Sequence, residues 1–237
     1  MDESDETPIR VNFGRPMPVF PLDQTVLLPQ QVMPLHIFEP RYVQMVEHAL
    51  DGAGQIAMGV FAGDRWKQEY HGVPPIRPAV CIGQIVQHER LADGRYNILL
   101  QGVCRAQVIE ESPPDEDHQY RTATLRPVGE TEDVGPDLDE LRDWLDEEIT
   151  SGPLSRMSVA AQVGEYVRNE DVPTPLVLDL VAFAMLTDPK VRYRLLAEGD
   201  AHARARLIRD GLEHVGSMIR RAEQQRPEQW PKGMSWN

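Results

Sequence analysis

The chain has 237 residues, 41% of them hydrophobic and 26% charged, with a formal net charge of −14. This is the balance of a globular protein that can bury a core, and its acid excess repels phosphate backbones, so nucleic acid is an unlikely partner. Cys81 and Cys104 are too few for a disulfide framework or a thiol-rich metal site. The acidic opening MDESDETPIR does not read as a signal peptide, and the most apolar run (176–186) has 11 residues and contains Asp179, far short of the roughly 20 that span a bilayer. The expected location is the cytoplasm, with no membrane partner.

In chain order, MPVFPL (17–22), TVLLP (25–29) and QVMPLHIF (31–38) read as extended runs. Pro18, Pro21, Pro29 and Pro34 place them at sheet edges, bends or barrel corners. Residues 39–51 read as a helix: Pro40 suits its first turn, and Tyr42, Val43, Val46, Ala49 and Leu50 recur at helical spacing before Gly52. QIAMGVF (55–61) is a strand and 63–75 a loop. The long run 78–91 is a strand with a bulge expected at Gly83, where alternation breaks. Ala92-Asp93-Gly94 is a hairpin turn, because Asp-Gly tolerates positive φ. Strands follow over 95–102, 104–111 and 120–128, with an exposed turn at 112–119. About six strands and one early helix predict a small, partly closed barrel capped by that helix.

Beyond residue 130 helical periods take over, so the fold class is α+β. One apolar stripe carries Leu138, Leu141, Leu145 and Ile149; another carries Val159, Val163 and Val167. Residues 175–186 are apolar nearly all round and expected to be buried. Pro189 opens a helix with Val191, Leu195 and Leu196, and Leu207, Gly211, Val215, Met218 and Ala222 mark a last one. Residues 130–148 hold ten acids against the single base Arg142, read as a solvated linker and helix face.

No motif for catalysis emerges. Lys67, Lys190 and Lys232 are the only lysines, and none is followed by Ser or Thr, which excludes a P-loop. None lies in the apolar setting that would activate a catalytic lysine. G-x-G-x-x-G, H-E-x-x-H and G-x-S-x-G are absent, and the seven histidines show no ligand pairing. The carboxylates sit in runs without the cleft that would separate a catalytic pair. The expectation is a protein that is not an enzyme and uses no cofactor and no metal. Trp66 and Tyr70 flank a polar loop; they fold back on the barrel or, if exposed, are candidate polypeptide-binding residues.

Pro21-Leu22, Val26-Leu27-Leu28-Pro29 and the run Pro34 to Tyr42, followed by 82–111, resemble the Lon protease N-terminal, substrate-binding domain. The likeness is greatest to stand-alone bacterial proteins built on that domain. Residues 175–208 are similar to the family's helical bundle. The resemblance implies a PUA-like pseudo-barrel of about six strands with one helix, joined to a C-terminal helical bundle. It divides the chain into a disordered segment (1–16), a PUA-like β subdomain (17–130), a helical subdomain (131–223) and a flexible tail (224–237). The ATPase and the Ser-Lys protease that follow this unit in full-length Lon are not expected in this chain.

The family usually has glycine after Leu-Leu-Pro where Gln30 stands here, so a positive φ there would strain Gln30. Glu39 and Arg41 are expected to cap or pair at the helix start. The implied role is a non-catalytic polypeptide-binding module, an adaptor or holdase for unfolded or partly folded chains. The alternatives are a scaffold that docks on a separate protease or on itself, and a PUA-like RNA binder.

Overall fold

The computed structural model describes residues 9–69, 72–129 and 137–225. Of the ends expected to be disordered (1–16) or flexible (224–237), residues 1–8 and 226–237 lie outside the described residues, as does Tyr70. The chain divides into two compact units, 1–132 with 192–199, and 133–191 with 200–237.

The first unit is a mixed six-stranded sheet. Its strands are β1 (Met17–Leu22), β2 (Val32–Ile37), β3 (Gln55–Val60), β4 (Ala79–Arg90), β5 (Tyr96–Ser112) and β6 (Thr122–Pro127), with helix α1 (Pro40–Leu50) between β2 and β3. The order is β2-β5-β4-β3-β1-β6, and β5 also pairs with β6, so five strands form a closed ring and β2 is appended to it. The β1–β3 pair is parallel; the other pairs are antiparallel. The expected barrel and its α+β class are thus present.

Closure depends on β5 serving three partners. Its first half pairs β2, its second half pairs β6, and β4 runs along most of its length. Sequence alone suggests two strands broken at Gly102-Val103; the structure has one bent strand of 17 residues. Gly102 lies opposite Gly83, with register shifts near it between Ile82 and Gly83 and between Ile85 and Gln87. A Cβ on Gly102 would stand 2.1 Å from the Leu28 carbonyl oxygen, and one on Gly83 would stand 2.6 Å from the Leu100 side chain. Only glycine permits these approaches, so the facing pair is where the two strands bend.

TVLLP (25–29) is not a strand. Gln24 and Gln30 both have positive φ, 55° and 66°, and bracket a loop that buries Val26, Leu27 and Leu28 almost completely. The left-handed residues at either end turn it out of the sheet. Gln30 adopts the conformation anticipated for it. Its N–H donates to Gly102 O at 2.8 Å, and the Gln31 side chain accepts from Leu28 N.

Residues 9–16 are not wholly detached, since Val11 and Phe13 pack on the barrel core of Val19, Ala57, Val80, Ile82 and Ala123. At the start of α1, Arg41 pairs with Glu39 at 2.9 Å, and Glu39 makes no side-chain cap bond. The stretch 192–199 joins the β unit through buried Arg105, whose Nε donates to Leu195 O, and through Tyr193, whose hydroxyl accepts from Ala79 N.

The second unit is helical: α2 (Asp137–Thr150), α3 (Ala160–Arg168), α4 (Thr174–Met185), the start of α5 (Pro189–Ala197) and α6 (Ala201–Gln224). Leu138, Leu141, Leu145 and Ile149 are buried as their spacing predicts, as are Val163 and Val167. Arg142, the lone base of the acidic run, turns inward. It donates to the carbonyls of Val167 (2.6 Å) and Val172 (2.9 Å) and to that of Asn169. Those acceptors are the end of α3 and the α3–α4 turn, so the guanidinium satisfies carbonyls that a helix terminus leaves without partners. Arg142→Met should therefore lower stability by about 2–4 kcal/mol in urea unfolding, beyond the range of an ordinary surface change.

Candidate functional site

The sequence VMPLHIF is apolar at both parities of a strand. Tyr96, Ile98 and Leu100 on β5, with Ile37 on β2, fill the inner face and are buried. Val32, Pro34 and His36 fall on the outer face and are exposed. Register then carries this face across the sheet: Pro34 lies beside Leu99 and Leu99 beside Gln87, while His36 lies beside Asn97 and Asn97 beside Glu89. The irregularity between Ile85 and Gln87 leaves Val86 exposed at the border.

Phe38 is 60% exposed, Val86 47% and Val32 46%. Pro34 and Leu99 are register partners on the same face. A groove of about 350 Å³ crosses the three strands, lined by Pro34, Leu35, His36, Gln87, Asn97 and Leu99 among others. The Phe38 ring stacks on His36 at 6.1 Å. A polar row borders the groove: Arg95 bonds Asp93 (2.7 Å) and His36 (3.3 Å), His36 bonds Asn97 (2.8 Å), and Asn97 donates to Glu89 (3.3 Å). The bond from Arg95 holds the Asp93 carboxyl below its ordinary pKa. Apolar side chains beside oriented polar groups form a surface that can take apolar side chains of a partner and fix their position.

The two aromatics singled out from sequence lie elsewhere. Trp66 sits in a short 3-10 helix (Arg65–Lys67), half-buried, its ring stacked on Phe61 at 5.6 Å and 10° and packed against the barrel core. Tyr70 is outside the described residues. Sequence reasoning missed Val32, Phe38, Val86 and Leu99. The signal was present in the doubly apolar pattern of 32–38, which a strand with one wet face does not require.

In the second unit a concavity of about 250 Å³ is lined by Leu138, Glu140, Leu141, His202, Arg206 and Arg209, a largely charged wall. Among the described residues no group of three or more His, Cys, Asp or Glu is placed to hold a metal ion. The Cys104 thiol is pushed up in pKa by burial, which disfavours the reactive thiolate. No helix among the described residues is long and apolar enough to cross a membrane.

Residues 16–214 match the family described as the ATP-dependent protease La (LON) substrate-binding domain. The chain belongs to that family. The Lon protease of Chloroflexus aggregans is 23% identical over 209 residues, 87% of this chain and 24% of that protein. Lon protease 1 of Syntrophobacter fumaroxidans is 29% identical over 126 residues, 53% of this chain and 15% of that protein. The chain thus spans about a quarter or less of these relatives. Among solved structures, the N-terminal domain of Mycobacterium avium complex Lon protease superposes with a TM-score of 0.63 at 21% identity, covering 83% of this chain and 97% of that one. A Lon N-terminal domain protein from Xanthomonas campestris gives 0.54 at 21% identity, covering 80% of this chain and 94% of that one. These likenesses establish the fold as that of Lon N-terminal domains.

Since the outer-face side chains touch little of the core, Phe38→Ser and Val86→Ser should each change unfolding free energy by no more than about 0.5 kcal/mol. Both should lower the fluorescence of bound bis-ANS. Unchanged dye binding in the double variant would show that the exposed apolar surface lies elsewhere.

Proposed function

We propose that this chain binds segments of unfolded or partly folded polypeptide on the outer face of β2, β5 and β4, and catalyses no reaction. The observation that carries the reading is that face itself, where Pro34 and Leu99 line a groove and Val32, Phe38 and Val86 are exposed on the same strands or directly after them, in a chain of the Lon substrate-binding family. Water-exposed apolar surface of this kind costs free energy, which a partner's leucine or phenylalanine side chain recovers at roughly 25 cal/mol per Å² of apolar area buried. The groups around it orient and do not react: His36 is engaged by Arg95 and Asn97, and Glu89 by Asn97.

In this role the protein is an adaptor or holdase of the cytoplasm. It shelters an exposed segment, and nucleotide hydrolysis and peptide cleavage, where they follow, belong to a separate protease. Trp66 and Tyr70 extend the reading to a second contact, because an aromatic on a polar loop supplies apolar area at low entropic cost.

The test is light scattering during aggregation of insulin chains released by reduction. A several-fold excess of the protein should slow it with no nucleotide added. Phe38→Asp combined with Val86→Asp should weaken the effect by about tenfold or more, the loss expected when exposed apolar contacts to a partner are replaced by charge. If wild-type protein leaves the scattering curve unchanged, or the double variant matches it, the assignment to this face fails.

A further inference from the structure

The edge of the same face has a chemical asymmetry that bears on how a polypeptide can be held there, given the reading above. Among the described residues β2 pairs with β5 and with no other strand, so one side of its backbone is a sheet edge. Which residues look outward follows from the ladder. Gly102 turns both backbone groups towards the β2 side: its N–H donates to Gln31 O and its C=O accepts from Gln30 N, both at 2.8 Å. Along an antiparallel strand this direction alternates, so Leu100, Ile98 and Tyr96 also face β2. Their register partners Met33, Leu35 and Ile37 face back towards β5. Val32, Pro34 and His36 are left to direct their backbone groups to the open edge.

Pro34 is at the centre of that edge and has no N–H. An incoming strand would find donors at Val32 and His36 only, with a pyrrolidine ring where the middle donor should be. The carbonyl brought opposite it would lose water and gain no partner. Proline at an outward position of an edge strand is one of the devices by which sheets avoid growing through their edges. Here it borders a face whose neighbouring side chains are apolar, the setting in which unguarded edge pairing leads to aggregation.

We infer that Pro34 closes β2 to strand addition, so that a bound polypeptide is held by its side chains across the β2-β5-β4 face and its backbone hydrogen bonds are not used. Two consequences distinguish this from pairing at the edge. Recognition is indifferent to the client's backbone N–H groups. Restoring a donor at position 34 lets one copy extend the sheet of another, because the edge residues of a second chain supply the complementary groups.

Two measurements test it. The first is fluorescence anisotropy of a labelled decapeptide of alternating leucine and serine, compared with the same peptide N-methylated throughout. The expected affinities agree within about threefold, whereas strand addition would cost the methylated peptide well over tenfold through several lost bonds. The second is sedimentation velocity of Pro34→Val against wild type over a range of concentrations. The variant should show added, concentration-dependent self-association that wild type does not. Loss of binding on methylation, or a Pro34→Val variant that is folded by circular dichroism and sediments like wild type, overturns the inference. If neither peptide binds, the proposed function is what falls, and the sedimentation result alone decides the role of Pro34.

Discussion

The approach of Gly102 to the Leu28 carbonyl is the contact on which the β unit depends. No side chain fits there, and the two backbone bonds between Gly102 and Gln30-Gln31 hold the loop that buries Val26, Leu27 and Leu28 against the middle of β5. With that loop in place, β5 bends opposite Gly83. Its first half is delivered to β2 and its second to β6. Ring closure and the appended outer strand are two results of one bend. The exposed face exists because β2 lies outside the closed ring, where its outer side chains have no second layer to pack against.

Much of this was legible in the chain. Prolines in the first 40 residues marked edges and bends, Asp93-Gly94 marked the hairpin, and the stripes of α2 and α3 marked their buried sides. The resemblance to Lon domains singles out position 30 as one where glycine is usual, and nothing intrinsic to glutamine announces its left-handed conformation. What was not legible has physical causes. TVLLP has strand composition, and only the two left-handed glutamines around it take it out of the sheet. The runs 95–102 and 104–111 are one strand because the missing Cβ of Gly102, which in isolation weakens a strand, here lets it continue past the Leu28 carbonyl.

The candidate site was less legible than the fold. A search for reactive groups directs attention to His, Cys, Lys and paired carboxylates, and a surface that acts by apolar contact contains none that need be unusual. Trp66 drew notice as a large aromatic in a polar loop, but the structure stacks it on Phe61. The residues that form the face are ordinary in type and become noticeable only through register, which sets Pro34 beside Leu99 across the ladder. The family match covers residues 16–214, and the chain spans about a quarter or less of the Lon proteases it resembles.

The inward turn of Arg142 has an electrical effect on the outside of α2. With its lone cation occupied by the carbonyls at the end of α3, the helix shows solvent Asp139, Asp143 and Glu147, while Glu140 shares a concavity with Arg206 and Arg209. Two copies approaching through this side meet like charge with like charge over a Debye length of about 10 Å at 0.1 M salt. A molecule that carries an exposed apolar groove in one unit thus carries a repulsive shield in the other. Colloidal repulsion of this kind keeps crowded copies apart at low salt and fades as ionic strength rises.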